Sequence, residues 1–230
     1  MKLKKNYFEG MKGNKTIKKK DGKLYTIREH RSRFFFPDEW MAFYDILKKK
    51  QGAYTRQQIT FNTLLNTGAR ISEIRGIEIQ DIDLQRSNIV LRKVKRVVNR
   101  RGVKKGQRRI RIVPISSKFN KFLRKVIKDY KLKATDKLPI LTTQGANQSM
   151  KKNLEKAGIK DYDMFSVHNV RKTSEMWLIS LDIDSFKIVK HFGHSREIAL
   201  KHYLSSDVFT YEEKNQIREL LGDLYVVRGI

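Results

Sequence analysis

Three short stretches of this chain carry side chains suited to work on a phosphodiester. The first is Leu65-Asn66-Thr67-Gly68-Ala69-Arg70-Ile71-Ser72-Glu73-Ile74, in which a glycine turn presents Arg70 and Glu73 follows one helical turn later. The second is His168-Asn169-Val170-Arg171-Lys172-Thr173, where His168 and Arg171, three apart, share a face if the segment is helical. The third is His191-Phe192-Gly193-His194-Ser195, followed by Lys201-His202-Tyr203-Leu204. Breaking a phosphodiester with a protein nucleophile needs cations on the phosphate oxygens, an oxygen attacking in line, and an acid for the leaving sugar oxygen. Arginine suits the first task, because its planar fork gives two hydrogen bonds and stays charged.

Each stretch alone has an ordinary structural reading. An arginine after a glycine turn is more often half of a surface ion pair. A His-x-x-Arg pair on a helix is usually structural, and a tyrosine on an amphipathic helix is usually packed in a core. A histidine beside glycine often just caps a turn.

Composition narrows the partners. The 230 residues hold 51 Lys and Arg against 24 Asp and Glu, a formal net charge of +27. Such a charge repels itself, so a strongly anionic partner is expected, and nucleic acid leads because cations gain by releasing its counterions. An anionic membrane is the rival, but no amphipathic anchor, lipidation motif or long apolar run is found. With no cysteine, disulfides, thiolate metal sites and a cysteine nucleophile are excluded. A cytoplasmic, nucleoid-associated location is expected. His191, His194 and His202 have side chains that suit a metal site, but no nearby carboxylate completes it, so no metal and no cofactor is expected.

These side chains need elements to position them. Residues 1–35 read as a basic arm, with strand character around Leu24-Tyr25-Thr26-Ile27. Pro37-Asp38-Glu39 opens a helix, with Trp40, Phe43, Tyr44 and Leu47 at helical spacing. A second helix runs from about Thr55 to Asn66 and stops at Gly68, and a short one starts near Ser72. Residues 88–115 read as a β-hairpin with its turn near Gly102 to Gly106. Helices follow over Lys118 to Tyr130, Gln148 to Ala157, His168 to Ser180, Asp184 to His191, Ile198 to Tyr203 and Thr210 to Leu224. The last begins with the capping box Thr210-x-x-Glu213 and has an Ile217, Leu220, Leu221, Leu224 stripe. The fold class read from this is mainly α with a small antiparallel β-sheet. The domains are an arm (1–35), a principal domain (36–204) and a tail helix (205–230).

Taken together, the stretches resemble the tyrosine recombinase (phage integrase) family over roughly residues 36–210. Thr67-Gly68-Ala69-Arg70-Ile71-Ser72-Glu73 matches its T-G-x-R-x-S-E segment, His168 to Arg171 its H-x-x-R segment, and Phe192-Gly193-His194 its L-G-H segment. The resemblance implies the family's DNA breaking-rejoining fold. It implies Arg70 and Arg171 as phosphate clamps, Glu73 as the acidic group orienting the site, His168 in proton transfer and His194 on the scissile phosphate. The nucleophile normally follows that histidine by nine positions, which selects Tyr203 over Tyr211 and Tyr225. Asp81-Ile82-Asp83-Leu84 resembles the family's D-I-D segment before the hairpin. By spacing, the lysine that protonates the leaving 5′ oxygen falls at Lys95, with Lys93 as runner-up. The remaining hairpin cations, Arg92, Lys93, Arg96, Arg100, Arg101, Lys104, Lys105, Arg108, Arg109 and Arg111, are expected along DNA phosphates.

The expected activity is therefore site-specific recombination through a 3′-phosphotyrosyl intermediate on double-stranded DNA, with self-association on that DNA. A type IB-like topoisomerase and a non-catalytic basic nucleic-acid-binding protein are the alternatives. Family members usually carry a helical core-binding domain before the catalytic one, which the first 35 residues cannot supply. Either the arm does a reduced version of that job or the chain is a fragment of something longer. The tail helix is open between docking on a neighbouring subunit and packing on its own domain.

Overall fold

The computed structural model describes residues 14–18, 24–28, 33–48, 52–94, 97–99, 102–104, 108–193 and 208–225. The chain divides into two units, Met1–Arg33 and Phe34–Ile230. Within the first, β1 (Asn14–Lys18) pairs antiparallel with β2 (Leu24–Arg28), Asn14 opposite Arg28. The division falls two residues before the expected end of the arm. Phe34 and Phe35 belong to the larger unit because both are buried in it.

The larger unit is built around one helix. α1 (Pro37–Leu47) starts with proline at its first position, and Glu39 accepts the Phe36 backbone N–H at 2.9 Å. α2 (Arg56–Thr67) is capped by Thr55, whose hydroxyl accepts the Gln58 N–H. α3 (Ile71–Ile74) is a single turn. α4 (Ser117–Asp129) and α5 (Thr143–Lys156) are capped by Ser116 and Thr142. α5 begins a full turn earlier than its apolar pattern suggests, because Thr142 rather than a hydrophobic residue marks its start. α6 (Val167–Ser180) is the centre. Val170, Met176, Trp177 and Leu178 are buried on it, and so are Arg171, Thr173, Ser174 and Glu175. A helix buried on all sides must carry its polar groups into contact with partners. The Phe34-to-Phe36 segment lies along it: Thr173 Oγ1 accepts the Phe35 N–H at 2.9 Å, and Trp177 Nε1 donates to the Phe35 carbonyl at 3.0 Å. Phe35 also packs on Trp40 and Phe165, which fixes α1 over α6.

α7 (Ser185–Phe192) ends at Gly193 in the left-handed conformation, and α8 (Tyr211–Leu221) starts on the expected Thr210–Glu213 capping box. Ile217, Leu221 and Leu224 are buried within this unit, so in the single chain the tail helix packs on its own domain.

The sheet is three-stranded and antiparallel in the order β3 (Ile82–Asp83), β4 (Asn88–Val94), β7 (Arg108–Pro114). A separate ribbon pairs β5 (Val97–Asn99) with β6 (Gly102–Lys104), Asn99 opposite Gly102. Gly102 to Lys104 is therefore strand, where the glycine spacing suggests a turn. In the main sheet Leu91 lies opposite Arg111 and Arg92 opposite Ile110.

Candidate active site

The site starts where α2 stops. Gly68 takes φ +54°, and its N–H bonds back to the Leu64 carbonyl. A Cβ there would sit 2.3 Å from the Phe192 ring, so the position needs glycine for both conformation and space. The turn aims the Gly68 carbonyl at α6, where Arg171 Nη1 donates to it at 2.6 Å. Arg171 Nη2 donates to the Phe192 carbonyl at 2.7 Å, and its guanidinium lies 5.1 Å from the Phe192 ring centre. Arg171 thus ties together the ends of α2 and α7, more than a hundred residues apart in sequence.

Arg70 is the N-cap of α3. Its backbone N–H donates to Glu73 Oε2 at 2.7 Å, and its Nη1 lies 3.7 Å from Glu73 Oε1, within ion-pair range but too long for a hydrogen bond. Arg70 Nη1 is buried without a hydrogen-bond partner. Arg70 and Arg171 line one pocket together with Ser72, Thr143, Asn147 and His168. The first turn of α6 places His168 there, beside Val167, whose N–H donates to Asn147 Oδ1.

A third guanidinium completes the group. Arg111 on β7 donates from Nη1 to the Phe192 carbonyl at 2.6 Å and from Nη2 to Glu73 Oε2 at 3.2 Å. Its side chain is only 15% exposed. The expectation that Arg111 lies along DNA phosphates on the hairpin surface is corrected by this inward placement. A signal was present in the sequence: Arg111 has the same strand parity as Val113 and Ile115, both buried.

The electrostatics follow from crowding cations in a dry place. Burial, with Arg70 and Arg111 adding to it, pushes the Arg171 pKa down to about 10. Burial lowers Arg111 too, with Arg70 adding to it against the pull of Glu73. His168 is lowered by burial and then by Arg171, Arg70 and Lys172, which keeps its imidazole neutral at pH 7.

Of the remaining expected residues, Arg92 faces outward and grips Asp81, donating from Nε at 2.8 Å and Nη2 at 2.6 Å. Lys93 is in β4 opposite Arg109, Arg108 is opposite Val94, and Lys104 is in β6 opposite Val97. Lys95, Arg96, Arg100, Arg101, Lys105, His194, His202 and Tyr203 lie outside the described residues. Tyr211 is exposed at the start of α8. The Tyr225 hydroxyl is tied to His191 Nδ1 at 2.7 Å, and burial raises its pKa to about 12, which makes it a poor nucleophile. Among the described residues no cluster of side chains suited to a metal ion is found, and no helix is long and apolar enough to cross a membrane.

Comparison with known proteins shows the family and the fold. The phage integrase family matches residues 33–208. No curated protein matches the chain. Among solved structures, the fold is similar to the Tn1549 transposon integrase in complex with transposon right end DNA. That match has 18% identity and a TM-score of 0.59, over 83% of this chain and 66% of that one. It is also similar to XerA recombinase, at 18% identity and TM-score 0.58 over 81% of this chain and 64% of that one. A third is the XerH site-specific recombinase bound to difH substrate, at 16% identity and TM-score 0.54 over 86% and 58%. The chain spans less than two thirds of the length of each of these solved chains.

Proposed function

Since the chain belongs to the phage integrase family, we propose that it is a site-specific recombinase that cuts and rejoins double-stranded DNA through a bond between Tyr203 and a DNA phosphate. The observation that carries this reading is the convergence of Arg70 and Arg171 on one pocket also lined by His168, with Arg111 sharing the Phe192 carbonyl with Arg171. Three guanidiniums face the carboxylates of Glu73 and Glu175 there, so the site has positive charge to spare. A cationic pocket is stabilised by an anion, and a phosphate with two non-bridging oxygens fits a pair of arginine forks. The similar Tn1549 integrase and XerH structures were both solved on DNA, which supports the substrate class.

In the proposed cleavage step, Arg70, Arg171 and His194 hold the phosphate. The Tyr203 oxygen attacks phosphorus in line and passes its proton to neutral His168. The bond from phosphorus to the 5′ oxygen breaks, and Lys95 (Lys93 as alternative) gives that oxygen a proton. The products are a 3′-phosphotyrosyl bond and a free 5′ hydroxyl. Attack by another 5′ hydroxyl reverses the step, and the phosphodiester energy is conserved throughout. Self-association on DNA and a cytoplasmic, DNA-associated location go with this reading.

The test is a pool of nicked duplexes of randomised sequence, incubated with wild type and Tyr203→Phe. Wild type should give a denaturant-resistant, protease-sensitive protein–DNA adduct, and the variant should give none. An equal adduct yield from Tyr203→Phe would remove Tyr203, and no adduct from wild type would remove the reaction. Duplexes carrying paired copies of the selected sequence then separate recombination from mere relaxation of supercoils.

A further inference from the structure

We propose that Arg111 is a positioning residue that neutralises Glu73 and so leaves the Arg70 guanidinium free to take a phosphate oxygen; the inference rests on the DNA-cleavage reading. Glu73 is buried, and its Oε2 accepts both the Arg70 backbone N–H and Arg111 Nη2. Its Oε1 faces Arg70 Nη1 at 3.7 Å. A buried carboxylate normally closes such a gap to a neighbouring guanidinium, because its charge gains more from a direct contact than the side chains lose in entropy. Here the gap stays open, and Arg70 Nη1 keeps its donor capacity unspent.

Arg111 accounts for the gap. It is held at both ends: Nη1 on the Phe192 carbonyl and Nη2 on Glu73. The Phe192 carbonyl also takes Arg171, so one backbone oxygen fixes two guanidiniums at once. A Cβ on Gly193 would lie 2.8 Å from Arg111 Nη1, and glycine leaves that approach open. The strand register gives Arg111 its aim, since Leu91, Ile89 and Val113 bury the same face of the sheet. Without Arg111, Glu73 would lose its hydrogen-bonded cation, and Arg70, whose Nη1 already lies 3.7 Å away, would be captured as its partner instead of serving an incoming phosphate.

This account makes an unusual genetic expectation. Arg111→Gln should slow adduct formation on the selected nicked duplex by about 100-fold, the scale of losing one oxyanion contact. Adding Glu73→Gln removes the charge that captures Arg70 while leaving an oxygen for the Arg70 backbone N–H. The double variant should therefore cleave at least about tenfold faster than Arg111→Gln alone. A merely structural arginine gives the opposite order, with the double variant equal to or slower than the single one, and that result would overturn the proposal.

A second readout needs no DNA. An arginine-selective dicarbonyl reagent such as phenylglyoxal, followed by digestion and peptide mass, reports how free the Arg70 guanidinium is. Arg70 should react in wild type, become protected in Arg111→Gln, and react again in the double variant. Unchanged Arg70 reactivity in Arg111→Gln would overturn the proposal. If Arg111→Gln fails to fold, Arg111→Lys takes its place. Lysine keeps a cation on Glu73, so Arg70 should stay reactive, and protection there would also overturn it. A wild-type chain that cuts no DNA would remove the cleavage reading and leave this chemical test intact.

Discussion

β7 and α8 bury opposite kinds of residue. On α8, Ile217 and Leu221 are inside, Glu212 and Glu219 stay on the surface, and the helix packs as its amphipathic pattern requires. On β7 the pattern is inverted. Ile110 is 60% exposed and Ile112 58%, while Arg111 between them is only 15% exposed. The difference separates a part built for stability from a part built around a charge. α8 contributes by removing apolar surface from water. β7 gives up that gain at two isoleucines so that one guanidinium can reach Glu73 and the Phe192 carbonyl.

The largest expected stability effect belongs to α8. Ile217 is fully buried, and Ile217→Ala deletes three carbons from a filled space. The loss should be about 2–4 kcal/mol, as for other buried Ile→Ala changes. Urea unfolding measures it. The cleavage rate per folded molecule should stay at the wild-type value if α8 acts through packing alone. A rate that falls while stability holds would mean that α8 also touches the site, and the comparison with β7 would break.

Acid should probe the same boundary from the α7 side. His191 is fully buried beside the arginine group, with Nδ1 bonded to Tyr225 and Nε2 without a hydrogen-bond partner. Burial first, then Arg111 and Arg171, pushes its pKa down to about 3, against a smaller upward pull from the Thr67 backbone. In the unfolded chain His191 returns to the ordinary value of 6.5. Between about pH 3 and 6.5 the unfolded state therefore binds a proton that the folded state refuses, so stability rises with pH across that window and is lost as pH falls. At pH 4.5 the contribution is about 2–3 kcal/mol. His191→Gln removes this titration, so between pH 7 and 4.5 it should lose less stability than wild type by about that amount. Parallel pH slopes for the two proteins would place His191 outside the dry cationic group.

Much of this arrangement could be read from the chain, for physical reasons that differ by element. The helices announce themselves through caps and period: Thr55, Ser116, Thr142 and Thr210 each accept a backbone N–H at the start of a helix. Gly68, Arg70, Glu73, His168 and Arg171 were visible because turn chemistry and chemical role coincide in short segments. Arg111 was not. Eleven cations crowd the hairpin, and composition alone makes each look like a phosphate contact. The parity of Arg111 with Val113 and Ile115 is the one local cue, and since Ile110 and Ile112 are equally apolar it takes the pairing register, Leu91 opposite Arg111, to decide which face turns inward; register is a long-range property. The β5–β6 ribbon was hidden for a related reason: Asn99 pairs with Gly102, so the glycine expected in the turn sits on a strand.

The outward isoleucines allow the finest test of the contrast. Ile110 lies opposite Arg92 and Ile112 opposite half-buried Val90, on the face away from Leu91 and Val113. Ile110→Thr and Ile112→Thr keep the β-branched shape that suits a strand and remove apolar surface that the folded chain leaves in water. Each should change stability by no more than about 0.5 kcal/mol, the usual range for surface sites. The urea midpoint measures this, with an unchanged slope to show that the unfolded state is the same. The phenylglyoxal reactivity of Arg70 should also be unchanged, because neither isoleucine faces Glu73. A drop of 2 kcal/mol or more, on the scale of the α8 substitution, would mean that another part of the chain covers this face. β7 would then be buried on both sides, and its exposed isoleucines would no longer mark it as a strand arranged around Arg111.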